Sequence, residues 1–581
     1  VSAAERKVAV GLFQEATRQF KQGRLELGLR VAGRSRAAFL RACDTEAACT
    51  AACLEARIMA RLGRMDEARA TLAWAIEHAQ GRNLTAREMA VRTDLAVLDE
   101  ATGDLRSALA AHRAILEQQR SLGNAKGTAV AAANVARLLP RAAPGLTDEA
   151  RSLLAEALAL FVEAKHWEDA AHVLLCLGDL ERSEGHLGAA EEVFRAVCFD
   201  PAMQARRVVA TAALNLGLVL RDRGAFDDAT SAFQLAGAAA LRHADRPVEA
   251  RARQALALHL ADRVPLPETA AALAEVAQLF RALGQPLGEL EAEFNRGGVL
   301  CRMGRLREGE AVLAAAPVRL EALGERMGAV EAQLAVAELA LAQGKPPPHD
   351  LERWLCDDLP HRLRFRGSLL CARYHGRGLA LPEMAAALDG AARLATTAAE
   401  QWALQLTRAE LSIWRGEAPP ALAPPGPPSA RDRAAVASVA TAWQLWRGDL
   451  QGATARAGEA RHMWREAGEP LAEVHAAALG WRAALLAGDT VPASELATVL
   501  PVAAEALDLA DTLAGLAALA RGELPLLDAA ADRLKSRGAG ATAFDLWALA
   551  ARLSGDGDRR GHLVVLARHH DLPLPVWLKV C

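Results

Sequence analysis

A glycine followed five positions later by a small residue recurs along this chain at a nearly constant interval, and that period restricts the fold more than any other feature. The copies are Gly63 with Ala68, Gly103 with Ala108, Gly145 with Ala150, Gly185 with Ala190, Gly224 with Ala229, Gly304 with Gly309 and Gly448 with Ala453; Gly23 with Gly28 fits as well. From Gly23 the glycines step to 63, 103, 145, 185 and 224. After one copy in which Val264 and prolines take the glycine's place they resume at 304 and 344, a period of about 40 residues. Glycine adopts the left-handed backbone that ends a helix, and an acidic residue shortly after it starts the next. Each copy therefore predicts a tight turn between two helices, and the small residue lets them approach closely.

A second series lies half a period away, at Leu122-Gly123 with Gly127, Leu283-Gly284 with Gly288 and Leu323-Gly324 with Gly328. Two turns per period, separated by apolar residues at helical spacing, leave room for two helices of roughly 14 to 17 residues. Such a hairpin cannot bury both faces alone and must stack on its neighbours. Composition agrees, because Ala, Leu, Arg and Glu dominate and tyrosine occurs once, at Tyr374. With 581 residues the chain is also longer than a single compact core usually grows. The expected fold is all-α, a right-handed α-solenoid of stacked helix-turn-helix units with about 13 to 15 hairpins.

Two copies carry more than a turn glycine. Asn215-Leu216-Gly217, Gly224, Asp227-Asp228-Ala229 and Phe233 form one set, and Leu177-Gly178, Gly185, Ala190 and Phe194 repeat it; Asn295-Arg-Gly297 with Gly304 is a third. This pattern resembles the tetratricopeptide repeat family over residues 1 to about 345. The longer period resembles the variants in kinesin light chains and in sensor arms of bacterial signalling proteins. The resemblance implies a groove lined by the first helices and a role in binding other proteins.

Two proline-rich stretches interrupt the array. Lys345-Pro-Pro-Pro-His-Asp350 stops a helix, since proline donates no backbone hydrogen bond and fixes φ. Gly416 to Ser429 holds six further prolines and reads as an extended, exposed linker. The expected organisation is a regular array over 1–345, degenerate hairpins over 346–429 and a second degenerate array over 430–581 that ends in a capping helix and Leu572-Pro-Leu-Pro-Val-Trp577.

No constellation points to catalysis. Cys43, Cys49 and Cys53 lack the paired short spacing of a zinc site and read as small buried hydrophobes. His569-His570-Asp571 and Cys581 offer an imidazole and a thiol, but nothing else supports a Cys-dependent hydrolase. Phosphate-binding glycine loops are absent, and Ser554-Gly-Asp-Gly-Asp558 lacks the twelve-residue calcium pattern. No metal, cofactor or enzymatic activity is expected. Nine cysteines over this length suit reduced thiols in the cytoplasm, no apolar run suits a membrane span, and the first residues lead into an amphipathic helix.

The expected partner is therefore another protein. With 68 basic against 71 acidic side chains the net charge of −3 gives no field that attracts nucleic acid. Arg61, Arg182, Arg221 and Arg302 fall near the ends of first helices, and Asn215 and Asn295 occupy the family's asparagine position. These six are the candidate partner-binding residues, and the arginine fork suits carboxylates on an acidic segment or a free C-terminus. A scaffold, adaptor or regulatory subunit acting on a separately encoded bacterial signalling or defence effector fits best; an enzyme or small-ligand sensor with a site in 346–581 is the alternative.

Overall fold

Helices alternate with two kinds of turn, and residues in left-handed backbone close nearly all of them. The computed structural model describes residues 3–21, 24–143, 145–203, 207–346, 358–424, 426, 428–491 and 493–579. Gly23, most of the proline run at 345–350, Trp354, Cys356 and Cys581 lie outside these residues. The described chain is helical throughout, without a strand.

The glycines at 63, 103, 145, 185, 224, 304, 344 and 448 all take positive φ, between 76° and 99°. At Gly63 the N–H of Arg64 reaches back to the Met59 carbonyl at 2.9 Å; His186 to Glu181 at Gly185 and Ala225 to Leu220 at Gly224 repeat the closure at 2.9 Å. This satisfies carbonyls that a helix end otherwise leaves orphaned. The small residues five positions on (Ala68, Ala108, Ala150, Ala190, Ala229, Ala453) are fully buried, where each second helix meets its first.

The other turns recur at the same period, but mostly without glycine. Cys43, Asn83, Lys165 and Ala244 adopt φ between 53° and 58°, in step with Gly123, Gly284 and Gly324. Backbone conformation thus recurs where the residue type does not; Asn83 tolerates it through its short polar side chain, whereas Cys43, Lys165 and Ala244 each cost about 1 kcal/mol there. Exposed Ala244 is expected to report this: Ala244→Gly raises the unfolding free energy by about 0.5–1 kcal/mol. Urea denaturation measures it, and an unchanged midpoint would show no strain at this turn.

Two elements depart from the expected pattern. The helix after Gly304 splits into Leu306–Leu313 and Ala316–Ala322, because Pro317 has no N–H for the Leu313 carbonyl and its ring clashes with that turn. At Val264 no left-handed residue is needed: Leu266 is extended (φ −105°, ψ 153°) and Pro267 opens the next helix.

The chain divides into two compact units, Val1–Ala255 and Leu256–Cys581. In the first, apolar clusters run through the stacked hairpins, and fully buried Phe194 and Phe233 sit against Gly178 and Gly217. Any side chain at these glycines would overlap the aromatic rings.

In the second unit the array curves until it meets itself. The helix Ala430–Arg447 packs on Ala398–Trp414 across the loop that follows Gly416, so stacking is continuous there. Farther on, Val474, Trp481, Leu513 and Leu516 share one core with Leu306, Leu313 and Leu339. Turns meet in chain order on both sides: Gly468 lies against Val264 and Pro265, Gly304 against Pro470 and Leu471, Gly344 against Asp508, Gly378 against Gly540 and Gly416 against Pro573. Polar bonds join the same places. The Arg302 guanidinium donates to Glu469 (3.1 Å) and to the Ala261 carbonyl (2.7 Å), the Arg307 N–H donates to Glu505 (3.0 Å), and the Leu507 N–H donates to the Gln343 carbonyl (3.1 Å). Arg377, only 10 % exposed, donates to Asp508 (2.7 Å) and to the carbonyls of Gly344 (2.7 Å) and Lys345 (3.0 Å).

Candidate functional site

In the first unit, the first helices of successive hairpins pack side by side: Thr45–Arg61 on Thr85–Ala101, and Ala125–Ala142 on Trp167–Ser183, which packs in turn on Val208–Asp222. Helices drawn together in this way form the inside of a curve and line a groove.

Polar side chains bridge from one first helix to the next along this surface. Arg57 pairs with Asp94 at 2.6 Å, Glu100 accepts from Arg137 and Arg141 at 2.6 and 2.7 Å, and Asn215 donates to Asp179 at 3.0 Å. Hydrogen bonding to Arg137 holds the Glu100 carboxyl below the usual range against the effect of burial. Asp179 behaves oppositely. Its side chain is exposed, yet the walls around it desolvate the carboxyl and raise its pKa, with Arg182 opposing. One turn earlier on the same helix, Cys176 lines a cavity of about 180 Å³ with Val130, Asn134, Arg137, Phe161 and His172, among others.

The structure brings two of the six sequence-derived residues into this neighbourhood. Asn215 bonds Asp179, and half-buried Arg182 acts on the same carboxylate while its buried Nε has no hydrogen-bond partner among the described residues. Arg221, six residues past Asn215 on the same helix, contacts adjacent Asp222 at 3.2 Å. Arg61 is exposed, with its guanidinium 5.8 Å from the Phe20 ring centroid. Asn295 is half-buried on Pro286–Arg302 in the second unit, and Arg302, also there, is occupied by Glu469 and Ala261.

Sequence reasoning missed Asp94, Asn134, Arg137, Cys176 and Asp179. A signal existed for two of them: Asp94 and Cys176 stand nine positions before Gly103 and Gly185, the register of Asn215 before Gly224. Cys49 and Cys53 are buried, with thiols pushed up chiefly by desolvation, whereas Cys43, expected to be buried with them, is exposed because it closes a turn in left-handed backbone. Among the described residues no three His, Cys, Asp or Glu side chains are placed to hold a metal ion, and no helix is long and apolar enough to cross a membrane. The Ser554–Asp558 loop caps a helix, since the Asp556 side chain accepts the N–H groups of Asp558 and Arg559.

Beneath the Glu100–Arg137 bridge lies His112, 1 % exposed, with its pKa lowered by burial and by Arg137 while Glu100 opposes. The unfolded chain protonates this ring near pH 6.5 and the folded chain only below that. Stability is therefore lost as pH falls below about 6.5, by at most about 1.4 kcal/mol per pH unit until the folded pKa is reached. We expect the difference in unfolding free energy between His112→Leu and wild type to grow in the variant's favour from pH 7 to pH 5 in parallel chemical denaturations. A constant difference would mean that the folded protein accommodates the charged ring.

No protein-family description matches the sequence, and no curated protein is significantly similar to it. Solved structures that match include BtubC (BKLC) from P. vanneervenii, 18% identical with a TM-score of 0.32 over 39% of this chain and 91% of that one. A chain of the structure of Naa15/Naa10 bound to HypK-THB matches at 12% identity and a TM-score of 0.18 over 97% of this chain and 100% of that one. Similarity of this degree says nothing about function.

Proposed function

We propose that this chain is a non-catalytic interaction subunit of the tetratricopeptide type, whose groove over 1–255 captures a segment of another protein. The observation that carries the reading is the surface around Asp179, Arg182 and Asn215. An exposed carboxylate held by Asn215 stands there with a half-buried guanidinium on the same helix, and a cavity wide enough for one side chain lies one turn away at Cys176. Preformed polar groups in a walled groove recognise a partner's polar and charged groups at little ordering cost. The arginine fork favours a carboxylate on the incoming segment. In the cell we read the protein as an adaptor or regulatory subunit of a separately encoded bacterial signalling or defence effector.

Affinity capture from native lysate, with the full chain and with an Arg182→Ala, Asn215→Ala, Arg221→Ala triple variant as baits, tests this reading. A stoichiometric partner should be retained by the wild type and depleted at least about tenfold by the variant, a loss of roughly 1.4 kcal/mol or more. A partner held equally by both baits would place the binding surface elsewhere.

A further inference from the structure

Eleven tryptophans are present in the chain, and three of them, from three separate helices, converge on one small cavity in the second unit. Trp414 ends Ala398–Trp414, Trp446 lies in Ala430–Arg447, and Trp577 lies in the short helix Val576–Lys579. All three line a cavity of about 160 Å³ together with Glu410, Arg482 and Asp545. Trp446 and Trp577 are 8% and 6% exposed, so the surrounding core fixes them. Trp414 meets Trp446 nearly at right angles, with ring centroids 6.0 Å apart and an interplanar angle of 76°, which makes two walls of a corner.

The charges around this corner do not cancel locally. Arg482 and Asp545 pair at 2.6 Å. Glu410 makes no hydrogen bond or ion pair with a described residue, and Arg373 is the opposite charge that acts on it. Glu410 is an exposed residue, so the cavity reaches solvent where this residue lines it. Cavity walls nevertheless desolvate that carboxyl and raise its pKa, and a cation beside it would relieve the cost.

We propose that this cavity binds a small organic cation of the quaternary ammonium class, enclosed by Trp414, Trp446 and Trp577 with Glu410 as its counter-ion. Indole π-systems attract cations electrostatically, most strongly when the cation is desolvated, and a weakly hydrated alkylammonium loses little on leaving water. Size agrees, since a cavity of roughly 150 Å³ admits a benzene-sized guest, close to the bulk of a trimethylammonium group. A metal ion is disfavoured because the cavity presents one unpaired carboxylate and no other ligating cluster. The proposal does not depend on the groove of the first unit, and its failure would leave that reading untouched.

Titration calorimetry of the full chain with choline, and with the neutral analogue in which carbon replaces the ammonium nitrogen, tests it. Choline should bind at least about tenfold more tightly than its analogue, and Glu410→Gln should weaken choline about fivefold or more without altering the analogue. Trp414→Leu, checked for folding by circular dichroism, should also weaken choline. Equal binding of choline and analogue, an unchanged affinity in a folded Glu410→Gln protein, or no binding of choline would each overturn the proposal.

Discussion

Arg377→Ala is expected to lower the unfolding free energy by about 3 kcal/mol. The wild-type guanidinium joins three acceptors from two distant parts of the second unit: the Asp508 carboxylate and the carbonyls of Gly344 and Lys345. Truncation leaves the two carbonyls without this donor, while among the described residues the Asp508 carboxylate keeps only Arg537, at 3.2 Å. Lysine should recover less than half of the loss, because a single ammonium cannot span the fork. Chemical denaturation gives the magnitude, and hydrogen exchange gives the location: the Leu507 amide, bonded to the Gln343 carbonyl, should exchange faster in the variant. A loss below about 1 kcal/mol with unchanged exchange at Leu507 would show that the apolar core alone holds the returning helices.

Gly217→Ala should cost about 2 kcal/mol even though alanine is the better helix former. A Cβ at this position would lie 2.5 Å from Phe233 Cε1 and 2.6 Å from Cδ1, and the ring is 1% exposed with no room to withdraw. Gly237→Ala, also within a helix but with no atom near its Cβ position, is the control and should stabilise by about 0.5–1 kcal/mol. Phe233→Leu removes the obstructing ring edge. The Gly217→Ala, Phe233→Leu double variant should therefore lie closer to Phe233→Leu alone than to the sum of the two. Additive losses would mean that glycine is required for backbone reasons instead of for close approach.

The pairing of Gly217 with Phe233 shows how directly local sequence reports hairpin geometry. Asn215-Leu216-Gly217 and Phe233 stand within one repeat, and their contact depends only on two antiparallel helices joined at Gly224. The repeat at Cys43, Asn83, Lys165 and Ala244 was less legible. The turn geometry is imposed by the stacked helices on either side, so Cys43, Lys165 and Ala244, which do not favour left-handed backbone, are carried into it. Candidate binding residues were legible only in part. Arg182 and Asn215 meet at Asp179 because repeat register fixes which face of a helix a side chain occupies. Arg302 has an equally suggestive register and is spent on Glu469 and Ala261.

The sequence by itself determined the helical hairpin, its period, the glycine turn within each hairpin and the burial of the small residue after it, because these follow from backbone conformation and spacing within about 40 residues. Only the tertiary structure decided that the second unit returns onto its own earlier turns, that Arg377 joins them, and that Trp414, Trp446 and Trp577 meet at one cavity. Those outcomes depend on curvature, a small rotation at each hairpin interface summed over many hairpins. No single repeat encodes that sum in a form that spacing or residue type reveals.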